Sequence, residues 1–192
     1  PILLITFNRP DHTSVVLDRI LSQSPTDLYI FQDGARTGNI EDERKCEQVR
    51  NVINELTANR HTNISTLNST INLGCGPGPA AGISWFFQNV DRGIIIEDDA
   101  VPDPEFFPYA EEMLERYADD SSVMAIGSMN VDKHKWGDGS YYFSRMNRNL
   151  CAWATWKRAW TISDLKMADI SSSQLNRALK QYGCGVLERP TS

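Results

Sequence analysis

The segment Gly93-Ile94-Ile95-Ile96 constrains this chain more than any other, because it runs without a polar break straight into Glu97-Asp98-Asp99. Consecutive β-branched residues fit a pleated strand, and a strand that is apolar at every position is one buried on both faces. Such a strand needs helices above and below it, and the sequence supplies alternating candidates. Residues 2–6, 28–31, 64–67, 123–126 and 141–143 read as further short strands. Apolar side chains recur at helical spacing at Val15, Val16, Ile20 and Leu21, then at Val49, Val52, Ile53 and Leu56, and again at Phe106, Phe107, Ala110, Met113, Leu114 and Tyr117. Pro10 suits a first helical turn. Helices are also predicted over 80–89, 156–162 and 174–182, while the Gly- and Pro-rich residues 74–79 read as a loop. The expectation is one continuous α/β domain, a three-layer α/β/α sandwich around a mostly parallel sheet.

Charge and length narrow the function. The 192 residues amount to about one domain of ordinary size. Lys and Arg total 19 against 25 acids, a net −6, which is the wrong sign for gripping nucleic acid through charge. No stretch approaches the ~20 apolar residues of a membrane span, and no secretory pattern opens the chain, so a cytoplasmic location is the expectation for a bacterial source. The chain begins at Pro1 inside a strand pattern and stops in a polar string, so it is expected to continue beyond Ser192. Cys46, Cys75, Cys151 and Cys184 form no C-x-x-C pair and are expected to be reduced and buried. His12, His61 and His134 have no zinc-like spacing.

In open α/β sheets, ligands bind at the carboxyl ends of the strands. Three polar clusters fall at such ends: Thr6-Phe7-Asn8-Arg9, Gln32-Asp33-Gly34 and Glu97-Asp98-Asp99. Adjacent carboxylates repel one another, and a hard divalent cation, Mn²⁺ or Mg²⁺, relieves that repulsion through oxygen ligands. The same cation neutralises a departing diphosphate. Arg9 is placed to pair with phosphate or stack on a base, and Asp33 to accept from a base or ribose edge. Together the clusters outline a pocket for a nucleoside diphosphate.

These segments, with Pro104-Glu105-Phe106-Phe107-Pro108-Tyr109, resemble the metal-dependent glycosyltransferases of the GT-A fold, in particular the N-acetylglucosaminyltransferase I-like family and its bacterial relatives. The resemblance covers about the first two thirds of the chain in matching order, and residues 151–158 resemble the acceptor-side segment. It implies transfer of a sugar from a nucleoside-diphosphate donor, with a uracil base favoured, to the hydroxyl of a glycan or other acceptor. On this resemblance Thr6, Asn8, Arg9, Asp33 and Asp98 contact the nucleotide, Asp99 is the direct metal ligand, and Glu97 and Trp153 face the donor sugar or acceptor. Residues 1–130 form the nucleotide-sugar half and 131–192 part of an acceptor half.

The family's base, a carboxylate beside an aromatic residue, has no match. Asp164, Asp169 and Glu188 are the only acids after Trp160, and none has that context. The base is therefore expected outside these residues, and two alternatives stay open: a nucleotide- or glycan-binding domain of the same fold with impaired catalysis, and a sugar nucleotidyltransferase. Trp156 and Trp160, four apart, are expected to share a buried helix face, and residues 133–139, with Trp136, to form a loop closing over the donor.

Overall fold

A computed structural model describes residues 1–128, 141, 143, 151–164 and 170–181. The elements are β1 (Ile2–Thr6), α1 (Pro10–Leu21), β2 (Asp27–Gln32), α2 (Ile40–Thr57), β3 (Asn63–Asn68), α3 (Pro77–Asn89), β4 (Arg92–Glu97), α4 (Phe106–Arg116), β5 (Ala125–Gly127), β6 (Ala152–Trp156), α5 (Lys157–Thr161) and α6 (Ser172–Gln181). The strands form one sheet in the order β3-β2-β1-β4-β6-β5. The first four are mutually parallel, and β6 runs antiparallel between β4 and β5.

β1 sits between β2 and β4, with Leu4 opposite both Ile30 and Ile96. Its residues alternate between two cores. Ile2 and Leu4, with Ile94 and Ile96, pack under α1, α2 and α4 against Leu17, Val49 and Phe107. Leu3 and Ile5, with Ile95, pack against Phe86 and Ile83 of α3 on the other face. Two cores separated by a sheet make the three-layer α/β/α sandwich expected from the sequence. Each fully buried Leu or Ile contributes about 1.5–3 kcal/mol relative to exposure, so this central triplet of strands dominates the fold's stability.

Several local expectations change. Helix α3 begins at Pro77, inside the segment read as a loop, because proline in a first turn forfeits only an N–H that has no helical partner. β4 extends to Glu97, making that acid a strand residue. Residues 152–156, read as acceptor segment and helix start, form β6 despite two alanines, since pairing on both sides outweighs propensity. Trp156 therefore ends a strand on the α4 side, where its indole N–H donates to the Leu114 carbonyl at 3.1 Å and Arg158 stacks 4.4 Å from its ring centroid. Trp160, in α5, donates to the Ser84 hydroxyl of α3 at 3.0 Å, so the two tryptophans lie on opposite faces of the sheet rather than on one helix face.

Tyr141 and Phe143 are not in a strand, and Tyr142 lies outside the described residues, as do 133–139 with Trp136, and Tyr182. Cys46 is buried, but Cys75 and Cys151 are exposed, contrary to the expectation that the cysteines are buried, and Cys184 lies outside the described residues. No helix among the described residues is long and apolar enough to cross a membrane.

Gly93 shows how tightly the layers meet. A Cβ there would lie 2.4 Å from the Phe86 ring and 2.7 Å from the Pro1 carbonyl oxygen. Gly93→Ala should therefore lower stability by about 1–3 kcal/mol, read as a reduced midpoint in urea unfolding.

Candidate functional site

The chain runs outward from β1 to β2 and β3, then returns to place β4 on the other flank of β1. This is the topological switch point, where the loops after β1 and β4 part and leave a crevice. Two backbone bonds extend the ladders past the strands: Asp33 N–H donates to the Thr6 carbonyl at 3.0 Å, and Asp98 N–H to the Ile5 carbonyl at 3.0 Å. They fix all three polar clusters relative to the end of β1.

The acidic triplet is split by a turn. Ala100 N–H donates to the Glu97 carbonyl at 3.1 Å, so Asp98 and Asp99 occupy the two central turn positions. Glu97 stays in β4, two residues from Ile95, which pairs with Trp153. Strand alternation thus puts Glu97 and the half-buried Trp153 on the α3 face. Asp98 is buried at 2% exposure, whereas the Asp99 side chain is 42% exposed.

Arg9 reaches both of these acids. It is the N-cap residue of α1 without a capping side-chain bond, followed by Pro10 in the first turn, so its side chain is free to cross the crevice. One guanidinium nitrogen donates to Asp98 Oδ1 and the other to Asp99 Oδ2 at 3.1 Å. Burial works against the Arg9 charge, but Asp98 and Asp99 outweigh it and hold the guanidinium protonated. Asp98 is pushed above the ordinary carboxyl range by burial, which Arg9 and the Phe7 backbone N–H only partly offset, and among the described residues its buried Oδ2 has no hydrogen-bond partner. An orphaned carboxylate oxygen beside a half-exposed second carboxylate is an oxygen donor set suited to a hard divalent cation. Among the described residues, however, no three His, Cys, Asp or Glu side chains converge as a metal site. Any cation held there by Asp98 and Asp99 would take its remaining oxygens from substrate and water.

The other residues singled out by sequence make bonds within the protein. The Thr6 hydroxyl, 2% exposed, donates to the Phe31 carbonyl at 3.1 Å. Asn8 Nδ2 donates to Asp42 Oδ1 at 2.7 Å. Asp33 accepts from the N–H groups of Gly34, Leu73 and Gly74 and from Asn72 Nδ2, at 2.9–3.1 Å. Four donors fill the lone-pair sites of one carboxylate, so Asp33 latches the 71–74 loop to the end of β2. Gly34 is required beside it, since a Cβ there would meet the Ile71 backbone at 2.5 Å.

Sequence reasoning missed the support beneath Arg9. Asp42 is buried and accepts from Asn8 and from the Arg36 guanidinium, which also lies 5.9 Å from the Phe7 ring centroid. Asn39 Oδ1 caps α2 by accepting from Asp42 N–H at 3.1 Å, and the string Asn39-Ile40-Glu41-Asp42 was the available signal, a capping-box spacing with Asp in the third helical position. A groove of about 700 Å³ adjoins this support, lined by Asn8, Arg9 and His12 and by Arg44, Lys45 and Gln48 of α2.

No family model matches the chain, and no curated protein sequence matches it. Among solved structures it is similar to a 4-diphosphocytidyl-2C-methyl-D-erythritol synthase from Anaerococcus prevotii, with 12% identity, a TM-score of 0.46, and coverage of 97% of this chain and 85% of that one.

Two pH effects follow. Burial, then the charges of Asp99 and Asp98, raise the Glu97 carboxyl above its ordinary 4.5. A carboxyl raised in the folded state weakens the fold once it ionises. Glu97→Gln should therefore raise the urea midpoint at neutral pH in the presence of a chelator, and the gain should vanish as pH falls below 4.5. Asp42 behaves oppositely: hydrogen bonds from Arg36 outweigh its burial and, with Asn8, hold it at about 2 instead of 3.8. Its stabilisation is present above 3.8 and lost as pH falls towards 2, so Asp42→Asn should flatten that acid limb of the stability curve.

Proposed function

We propose that the crevice between β1 and β4 binds a nucleoside diphosphate together with a divalent cation, Mn²⁺ or Mg²⁺, and that the chain is the catalytic domain of a glycosyltransferase using a nucleoside-diphosphate sugar. The observation that carries this reading is the Arg9–Asp98–Asp99 cluster at the switch point, where one cation faces two carboxylates and a buried carboxylate oxygen has no hydrogen-bond partner among the described residues. Buried charge of this kind costs stability and is retained where chemistry uses it. The adjoining groove supports the reading, because its volume lies within the range of ligand-sized sites and its amides and cations suit an anionic, hydrogen-bonding ligand.

The roles follow from position. Arg9 pairs with diphosphate oxygens, and Asp98 orients the nucleotide or sugar from the buried side of the turn. Asp99, at the exposed tip, is the direct ligand of the cation. Thr6, Asn8 and Asp33 shape the nucleotide side of the pocket by fixing the β1–α1 turn and the 71–74 loop. Glu97 and Trp153, on the α3 face, border the sugar and acceptor. When bound, the cation supplies charge stabilisation for the leaving diphosphate. An acceptor hydroxyl also needs a base, and none of Asp164, Asp169 and Glu188 stands in the aromatic context the resemblance calls for. A nucleotide- or glycan-binding domain of the same shape is the second reading for that reason. Nucleotidyl transfer is the less favoured enzyme, because β1 and α1 are joined by Phe7-Asn8-Arg9 alone, with no glycine-rich loop to enclose a triphosphate.

Calorimetry with UDP, with and without Mn²⁺, tests the proposal. UDP should bind only weakly without the metal and at least about tenfold more tightly with it, a coupling of ordinary allosteric size. Asp99→Asn should abolish the difference. Metal-independent UDP affinity in the wild type, or no binding at all, would sink the reading, and release of UDP from a UDP-sugar then separates an enzyme from a binder.

A further inference from the structure

Arg9 is more than a phosphate ligand in waiting. Its guanidinium hydrogen bonds go to Asp98 and Asp99, one nitrogen to each, so a positive charge already stands where a divalent cation would enter. A cation at these carboxylates would be driven against the guanidinium across a few ångströms, and partial burial reduces the screening of that repulsion. The arrangement can also open. Arg9 makes no capping bond to α1, its side chain is 41% exposed, and it lines the groove of about 700 Å³ along α1 and α2, into which it has room to swing. Asp98 is held in place by its backbone bond to Ile5 and by burial, so the acids stay while the arginine moves.

We propose that Arg9 is a built-in competitor for the cation site: it occupies the Asp98–Asp99 pair before nucleotide binds, and a divalent cation enters at Asp99 as Arg9 transfers to the diphosphate, which leaves Asp98 to the nucleotide or sugar. The inference rests on the nucleotide reading above for what draws Arg9 away, but the competition itself rests on the ion cluster. In the exchange the acidic turn gives up a singly charged guanidinium and gains a doubly charged cation, and the incoming diphosphate supplies the negative charge that balances the added cation and receives the guanidinium. Nucleotide and cation must then bind cooperatively, each weak without the other. The buried Oδ2 of Asp98 gains a partner only in the exchanged state.

The test is titration of Mn²⁺ alone, followed by paramagnetic resonance of the free ion, into the wild type, Arg9→Gln and Arg9→Lys, each first shown to be folded by its thermal melt. Arg9→Gln should bind Mn²⁺ about tenfold more tightly than the wild type, as expected for removing a guanidinium that pairs with both carboxylates, with Arg9→Lys in between. Adding Asp99→Asn to Arg9→Gln should erase the gain, and UDP should tighten Mn²⁺ binding in the wild type far more than in Arg9→Gln. Equal or weaker Mn²⁺ binding by Arg9→Gln overturns the competition, even if the wild type binds UDP with Mn²⁺ and the nucleotide reading stands. A gain in Arg9→Gln without any UDP binding to the wild type overturns the nucleotide reading and leaves the competition in place. Should Arg9→Gln fail to fold, Arg9→Lys decides by the same comparison.

Discussion

The architecture depends on the double pairing of β1. A strand bonded in parallel to β2 on one side and β4 on the other, with helices over both faces, has no solvated surface along its length, and all of Ile2–Thr6 is buried. Polar chemistry is therefore excluded until the strand ends. The first polar side chains past the sheet, Asn8 and Arg9, arrive where β2 and β4 also release their chains. The position of the crevice is thus a consequence of burying the apolar strands, and the functional side chains inherit their placement from the ladder bonds of Asp33 to Thr6 and of Asp98 to Ile5.

The same constraint explains the electrostatics. A chain with net charge −6 has little to gain from concentrating acids at a strand end, and Asp98 is the costliest of them because its carboxylate is almost wholly withdrawn from water. Arg9 supplies a positive charge, yet one Asp98 oxygen has no hydrogen-bond partner among the described residues. Asp33 and Asp42 show that the fold can satisfy buried carboxylates fully when they serve as scaffold, with Asp33 taking three backbone donors and a side-chain amide and Asp42 taking Asn8 and Arg36. The contrast separates acids that hold the structure from those left incompletely satisfied.

That contrast was invisible in the sequence. The strands and main helices were legible because apolar runs and helical spacing are local signals, and β1 falls where its pattern put it. The polar clusters were legible as a group, because strand-end placement depends only on strand order. The individual roles were not. Asp33 stands in an Asp-Gly pair that reads as a turn, but apart from Gly34 its partners lie 39 to 41 residues away in the 72–74 segment, and Asn8 is bonded to a residue 34 positions on. Long-range hydrogen bonds leave no periodic trace. β6 escaped for a related reason: the Trp and Thr of Ala-Trp-Ala-Thr-Trp suit a strand, but the run is short and its partners β4 and β5 lie far off in the sequence.

The turn at 97–100 also divides the work of the crevice. Because Glu97 ends β4 on the face of Ile95, while Asp98 turns toward the β1–α1 corner, adjacent acids look to opposite sides of the sheet's edge. The Arg9 side carries cationic and amide groups along a groove, suited to an anionic ligand, and the Glu97 side carries Trp153 and the exposed Cys151, whose carbonyl accepts from Glu97 N–H at 2.8 Å. A ligand lying across the turn would meet charge on one flank and an aromatic, partly apolar surface on the other. That polarity arises because a strand's side-chain alternation continues to its last residue before the turn breaks it.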